Sequence, residues 1–91
     1  MPFDLDLPPV LRKQGWKVKI QERERLEPPH ATIRRREKTW RFDLRLRRFL
    51  DRQPPAREVP AALMEHVVLH LDELRQAWDR MHPENPVGDD R

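Results

Sequence analysis

A periodic stripe of apolar residues in the second half of the chain constrains the fold most strongly. From Pro60 to Met81, apolar side chains recur at intervals of three and four residues: Leu63, Met64, Val67, Leu71, Leu74, Trp78 and Met81. This spacing places them on one face of an α-helix. Pro60 suits the first position of a helix, and Pro83 ends it. The stripe therefore predicts one helix about 33 Å long, whose apolar face needs a second layer to cover it.

Earlier in the chain the apolar pattern changes to a period of two, which is typical of β-strands. Apolar residues alternate with polar ones in two segments, Trp16, Val18 and Ile20 in the first and Trp40, Phe42 and Leu44 in the second. Residues 31–36 (ATIRRR) are a shorter candidate between them. Residues 45–51 (RLRRFLD) offer a further strand with a bend. Because the connections are short, neighbouring strands are expected to pair as antiparallel hairpins.

The segments outside these patterns are defined by proline. In the N-terminal segment 1–14, Leu5 and Leu7 fit a short edge strand, and Pro8-Pro9 can begin a helical turn that Gly15 closes. This segment is poorly defined by its sequence. Prolines 54, 55 and 60 break the sheet and favour an extended linker.

These elements predict an α+β fold with two layers. An antiparallel sheet of three to four strands packs on one long C-terminal amphipathic helix. Residues 1–82 form a single domain, and residues 83–91 form a flexible tail. The three tryptophans, at positions 16, 40 and 78, are expected to meet in the core between the layers.

Composition excludes several classes of function. The chain has no cysteine, serine or tyrosine and only two glycines, so common nucleophiles, thiolate metal ligands and a glycine-rich phosphate loop are absent. No apolar run approaches the roughly 18 residues of a membrane span. Acidic residues stand near the N-terminus where a signal peptide needs basic ones. We expect a cytoplasmic protein without a cofactor or a membrane partner.

Charge is divided unevenly along the chain. Residues 1–53 hold 15 Lys and Arg against 8 Asp and Glu, and residues 54–91 hold 4 against 8. Basic residues gather on the predicted open face of the sheet and at its turns: Lys17, Lys19, Arg34, Arg35, Arg36 and Arg41. This surface either contacts phosphate groups of a nucleic acid or is a solvated face of a small domain. The aromatic residues alternate onto the buried face of the sheet, which argues against stacking of nucleic-acid bases on the open face.

Two histidines stand four residues apart on the predicted helix. His66 and His70 have a spacing that can hold a metal ion, but the segment HVVLH lacks the glutamate of a zinc protease motif. The alternative is that His70 lies at the boundary of the apolar stripe and packs against the rim of the sheet. No metal site is predicted.

Two motifs together resemble a known family. The segment EPPHATI supplies Pro28, Pro29 and His30. The helix supplies the second motif, which comprises Leu69, His70, Glu73, Leu74 and Trp78. This order resembles the small bacterial family named domain of unknown function 4160, over roughly residues 15–81. Thr32 stands where the family commonly has a second histidine, and the glycine often found in the following strand turn is missing. Members often lie beside small antitoxin-like proteins, so the resemblance implies a toxin–antitoxin-type component.

The resemblance also indicates three polar groups that could form one site. His30, His70 and Glu73 are expected to converge where the helix meets the rim of the sheet. They form either a proton-transfer site or a buried hydrogen-bond clasp between the PPH loop and the helix.

Two functions follow from these features. In the first, the protein acts by protein–protein interaction with a cognate antitoxin-like protein. In the second, it binds or cleaves RNA, with the basic sheet face for phosphates and with His30 and His70 for proton transfer. Whether the protein is an enzyme stays open. A homodimer formed through the N-terminal edge of the sheet is also expected.

Overall fold

The computed structural model describes residues 3–21 and 27–88 of the chain. Its elements in chain order are β1 (Phe3–Asp4), α1 (Pro9–Lys13), β2 (Trp16–Ile20), β3 (His30–Arg35), β4 (Lys38–Asp43), a 3₁₀ turn (Ala56–Glu58), α2 (Ala61–Leu69) and α3 (Leu71–Met81). The predicted α+β class is confirmed, with a four-stranded sheet and C-terminal helices.

The sheet is an antiparallel meander in the order β1-β2-β3-β4. Val18, Ile33 and Trp40 lie opposite one another across the three longer strands, and all three are buried. Lys17 lies opposite Arg34 on the other face. Facing residues in an antiparallel pair share a side of the sheet, so the period of two correctly separates a core face from a basic face.

The N-terminal segment contains a short edge strand and a helix, but the strand is Phe3–Asp4, and Leu5 and Leu7, which predicted it, follow the strand. β1 pairs with the end of β2, and α1 begins at Pro9. Gly15 has φ 91°, a left-handed conformation that other residues rarely adopt, so it closes the helix and turns the chain into β2.

Residues 44–48 form a turn in place of the further strand predicted from RLRRFLD. The side chain of Asp43 accepts hydrogen bonds from the backbone N–H groups of Arg45 and Leu46 at 2.7 and 3.0 Å. Leu46 is 60% exposed, and Phe49 makes only an isolated bridge to Phe42. The buried carboxylate of Asp43 stabilises the turn because it accepts two backbone hydrogen bonds. These bonds compete with strand pairing, and the alternation of apolar residues does not reveal them.

The predicted helix from Pro60 to Met81 is divided at His70, which has φ −104° and ψ 24°. The two parts make different contacts. His66 of α2 bonds to the N-terminal segment, whereas α3 buries Leu74 and Trp78 in the core. The apolar stripe therefore continues from α2 to α3 across a break in the helix, and the spacing of the apolar residues does not predict this break.

Residues 83–88, which begin the predicted flexible tail, contact the rest of the domain. Val87 is completely buried, and its N–H donates to the side chain of Asp79 at 2.8 Å. Arg45 donates to the carbonyl oxygens of Pro86 and Val87. The polar composition of the segment gives no sign of these contacts, because the contacts with Arg45 join residues that are far apart in the sequence. Residues 89–91 lie outside the described part of the chain.

The three tryptophans belong to one buried cluster, as expected. The rings of Trp16 and Trp40 lie 5.5 Å apart between centroids. Trp78 instead contacts the rings of His30 and His82. The core is therefore continuous, but the three tryptophans belong to two separate groups of aromatic contacts.

Packing of the C-terminal segment is testable by substitution. We expect Val87→Ala to lower the free energy of unfolding by about 1.5–3 kcal/mol, because it removes buried methyl groups and leaves a cavity. Val10, which is 65% exposed, provides the matched control. Val10→Ala should change stability by less than about 0.5 kcal/mol. Equal unfolding midpoints in denaturant for the two variants would contradict the packed segment.

Candidate functional site

His30 lies at the start of β3 and is fully buried. Its Nδ1 is 2.8 Å from the carbonyl oxygen of Pro28, and a carbonyl only accepts, so Nδ1 carries the hydrogen. Its ring lies against Trp78 of α3, with centroids 5.5 Å apart. His30 is therefore an interior group that connects the loop before β3 to the helix.

His70 occupies a different environment, at the break between α2 and α3. Its side chain is 35% exposed, and Nδ1 lies 3.3 Å from a carboxylate oxygen of Glu73. Its ring is 4.4 Å from that of His66, whose Nε2 donates to the carbonyl oxygen of Asp6 at 2.7 Å. His66 and His70 thus form a surface pair that holds the N-terminal segment against α2.

The structure does not bring His30 to His70 and Glu73. In the described part of the chain, His70 contacts His66 and Glu73, whereas His30 contacts Pro28 and Trp78. Trp78, the residue on which His30 packs, follows His70 by eight residues, or about 12 Å along a helix. The predicted three-group site is therefore divided between a buried histidine and an exposed pair. A clasp does tie the PPH loop to the helix, but its partner on the helix is Trp78.

His82 is a structural residue that sequence reasoning missed. It is 1% exposed, and its ring lies against Trp78 with centroids 4.0 Å apart and the planes tilted by 41°. Its Nε2 donates to the carbonyl oxygen of Gln21 at 2.7 Å. The available signal was its position four residues after Trp78, which places the two rings on one side of a helix.

The six basic residues predicted to bind nucleic acid do not form one surface. Lys17 and Arg34 are exposed opposite each other on the open face. Arg35 lies on the other face, beside Trp16, and Arg36 lies in the β3–β4 turn. On the open face, Lys19 is 3.6 Å from the carboxylate of Asp4. Its charge is therefore partly compensated.

Arg41 is held by two carboxylates. Its Nε and Nη2 donate to the two oxygens of Asp51 at 2.9 and 2.6 Å, and Nη1 donates to Glu27. Hydrogen bonding by Asp51 and then by Glu27 raises the pKa of Arg41 above its ordinary value. The same bonds from Arg41 lower the pKa of Asp51. These contacts occupy the guanidinium. Arg41 therefore takes part in structural ion pairs and has no donor nitrogen left without a carboxylate partner for a phosphate.

An apolar surface lies on α2, on the side that does not face the core. Leu63 and Val67 are buried, whereas Val68 and Leu69 are 46% and 76% exposed. A shallow groove of about 540 Å³ follows this side of the helix and is lined by Ala61, Met64, Glu65, Val68 and Leu69. Its accessible surface is almost entirely carbon. We call these five residues the α2 face.

In the described ranges, no group of three or more histidine and acidic residues is arranged to hold a metal ion. Within the same part of the chain, no helix has the length and apolar character needed to cross a bilayer.

No family model, curated protein or solved structure matches the chain. The resemblance to domain of unknown function 4160 accordingly stays a prediction that rests on the two motifs.

Thermal melts of two histidine variants test the division of the site. We expect His30→Ala to lower stability by about 1–3 kcal/mol, because the Pro28 carbonyl loses its donor and Trp78 loses a packed ring. In a domain of this size that loss is several degrees in Tm. His70→Ala, at a half-exposed position, should lower Tm less. A change of less than a degree for His30→Ala would contradict its interior role.

The Arg41–Asp51 pair predicts a dependence of stability on pH. Because the folded pKa of Asp51 lies below its unfolded value, the pair stabilises the protein fully above that unfolded value of about 4. The contribution is lost as the pH falls through the folded pKa. We expect Asp51→Asn to lower the free energy of unfolding at pH 7 and the difference from wild type to shrink toward pH 3. Denaturant titrations at several pH values, with Asp4→Asn as control, measure it. A difference that stays constant would refute the assignment.

Proposed function

We propose that the protein acts by binding a second protein and that the α2 face is its contact surface. A helix that is apolar on nearly all sides is normally buried on all sides. Glu65 and His66 are the only polar side chains of α2, yet Val68 and Leu69 are exposed. This exposure is the observation that carries the proposal, since contiguous apolar surface on a small domain marks an interaction site.

The charges around the α2 face support a basic partner. Glu65 lines the groove, and Asp72 and Glu73 follow in the first turn of α3. Asp72 and Glu73 are exposed. An amphipathic helix with an apolar stripe and with lysine or arginine at its margin matches this surface in shape and sign. The proposed partner is therefore a basic, helix-bearing protein, in keeping with the antitoxin-like partner that the resemblance implies.

The other predicted partners have less support. The homodimer was expected through the N-terminal edge, but β1 comprises only two residues, Phe3–Asp4. For RNA cleavage, the two histidines lie in separate environments, and Arg41 is occupied by carboxylates. Exposed Lys17 and Arg34 support at most a weak contact with phosphates.

Substitution at the α2 face separates these alternatives. The protein is co-expressed with the product of the adjacent gene, and the pair is analysed by size-exclusion chromatography with light scattering. We expect a complex for wild type and its loss for Leu69→Lys, because a positive charge then faces the basic partner. Leu46, exposed to 60% in the turn after β4, supplies the control. Leu46→Lys should leave the complex intact.

Three outcomes would contradict the proposal. Separate elution of the two wild-type proteins at micromolar concentration would refute the proposed complex. A complex that survives Leu69→Lys would place the interface elsewhere. A homodimer of the protein alone that Leu69→Lys dissociates would make a second copy the occupant of the α2 face.

A further inference from the structure

A second concave surface lies at the β3–β4 turn, away from α2. It has a volume of about 620 Å³, within the range of small-molecule sites. Its lining residues are Trp16, Arg35, Arg36, Glu37, Lys38, Trp40 and Glu58. We call this surface the hairpin cleft. It forms because Trp16, Arg35 and Lys38 lie opposite one another on one face at the end of the sheet.

Arg35 is held in place within the hairpin cleft. Its Nε donates to the carbonyl oxygen of Gln14 at 2.9 Å, and its guanidinium carbon lies 5.5 Å from the centre of the Trp16 ring. Among the described residues no carboxylate pairs with Arg35. The bond from Nε fixes the guanidinium and leaves its two terminal nitrogens as donors. Such a fixed guanidinium is suited to a planar oxyanion.

Arg36 occupies a position that ordinarily belongs to another residue type. It begins the two-residue turn between β3 and β4 and has φ 57°. Glycine and asparagine adopt this left-handed conformation readily, whereas a long side chain there is uncommon. The turn thus carries local strain and presents a second exposed guanidinium at the margin of the hairpin cleft.

The charges of the hairpin cleft indicate the charge of its ligand. Lys38 and Glu58 form an ion pair at 2.6 Å and compensate each other. The other charged residues of the lining are two arginines, Arg35 and Arg36, and one glutamate, Glu37, so one positive charge is left uncompensated. A single carboxylate matches this balance better than a doubly charged phosphate group does. More than half of the accessible lining is carbon, so the ligand also has a hydrocarbon part.

We propose that the hairpin cleft binds a small organic carboxylate, with Arg35 as the bidentate donor and Arg36 as the second cation. This site is independent of the α2 face and of the partner bound there.

Calorimetric titration of the whole protein tests the site with defined probes. Phenylacetate, indole-3-acetate and hexanoate are compared at millimolar concentration with inorganic phosphate and with phenethylamine, which has no carboxylate. We expect at least one of the carboxylates to bind more tightly than phosphate and phenethylamine not to bind. Arg35→Gln should weaken carboxylate binding by roughly ten- to hundred-fold, because a charge-assisted pair is lost.

A matched pair of turn variants separates binding from stability. Arg36→Asn should weaken carboxylate binding while keeping or raising Tm, since asparagine tolerates the left-handed backbone. Arg47 also has φ 57°, but it lies in the turn after β4, outside the hairpin cleft. Arg47→Asn should have the same effect on Tm and no effect on binding.

The opposite results would overturn the proposal. Absence of binding by all three carboxylates would remove the site, and tighter binding of phosphate would make the ligand class wrong. Equal affinities for wild type and a folded Arg35→Gln would place the ligand elsewhere.

Discussion

The indole of Trp78 holds together parts of the chain that are far apart in sequence. The ring contacts His30 at the start of β3 with centroids 5.5 Å apart, and it contacts His82 with centroids 4.0 Å apart. Its Nε1 donates to the carbonyl oxygen of Asn85 at 2.6 Å, which draws the C-terminal segment back onto α3. His82 in turn bonds to Gln21, just after β2. The sheet, the last helix and the C-terminal segment therefore depend on one buried side chain, whose polar atom must keep its partner.

This arrangement limits where chemistry can take place. His30 and His82 serve the core, so the histidines at the surface are His66 and His70, which join α2 to the N-terminal segment. The two histidines predicted for proton transfer, His30 and His70, thus lie in different environments, one against Trp78 and the other against His66. Two exposed surfaces of the described residues are the α2 face and the hairpin cleft. Both surfaces have the exposure and lining that a binding site needs.

Patterns within one element were readable from the sequence, and contacts between distant elements were not. The period of two in β2 and β4 predicted the buried faces correctly because side-chain alternation is a local property of a strand. It also placed Arg41 on the open face, but the carboxylates that cover this guanidinium come from residues 10 and 14 positions away. The bonds from Arg45 to the C-terminal segment span about 40 residues and leave no periodic trace. Likewise, the PPH motif shows that His30 begins a strand without showing how deeply its ring lies.

The central claim is that His30 belongs to the interior and that the protein acts through its surface. Modification of the folded protein with diethyl pyrocarbonate, located by mass spectrometry, measures the accessibility of each histidine directly. The account predicts early modification of His66 and His70, with His30 and His82 modified only after unfolding in denaturant. Modification of His30 in the folded protein as fast as that of His70 would contradict the account and would return His30 to the candidates for catalysis.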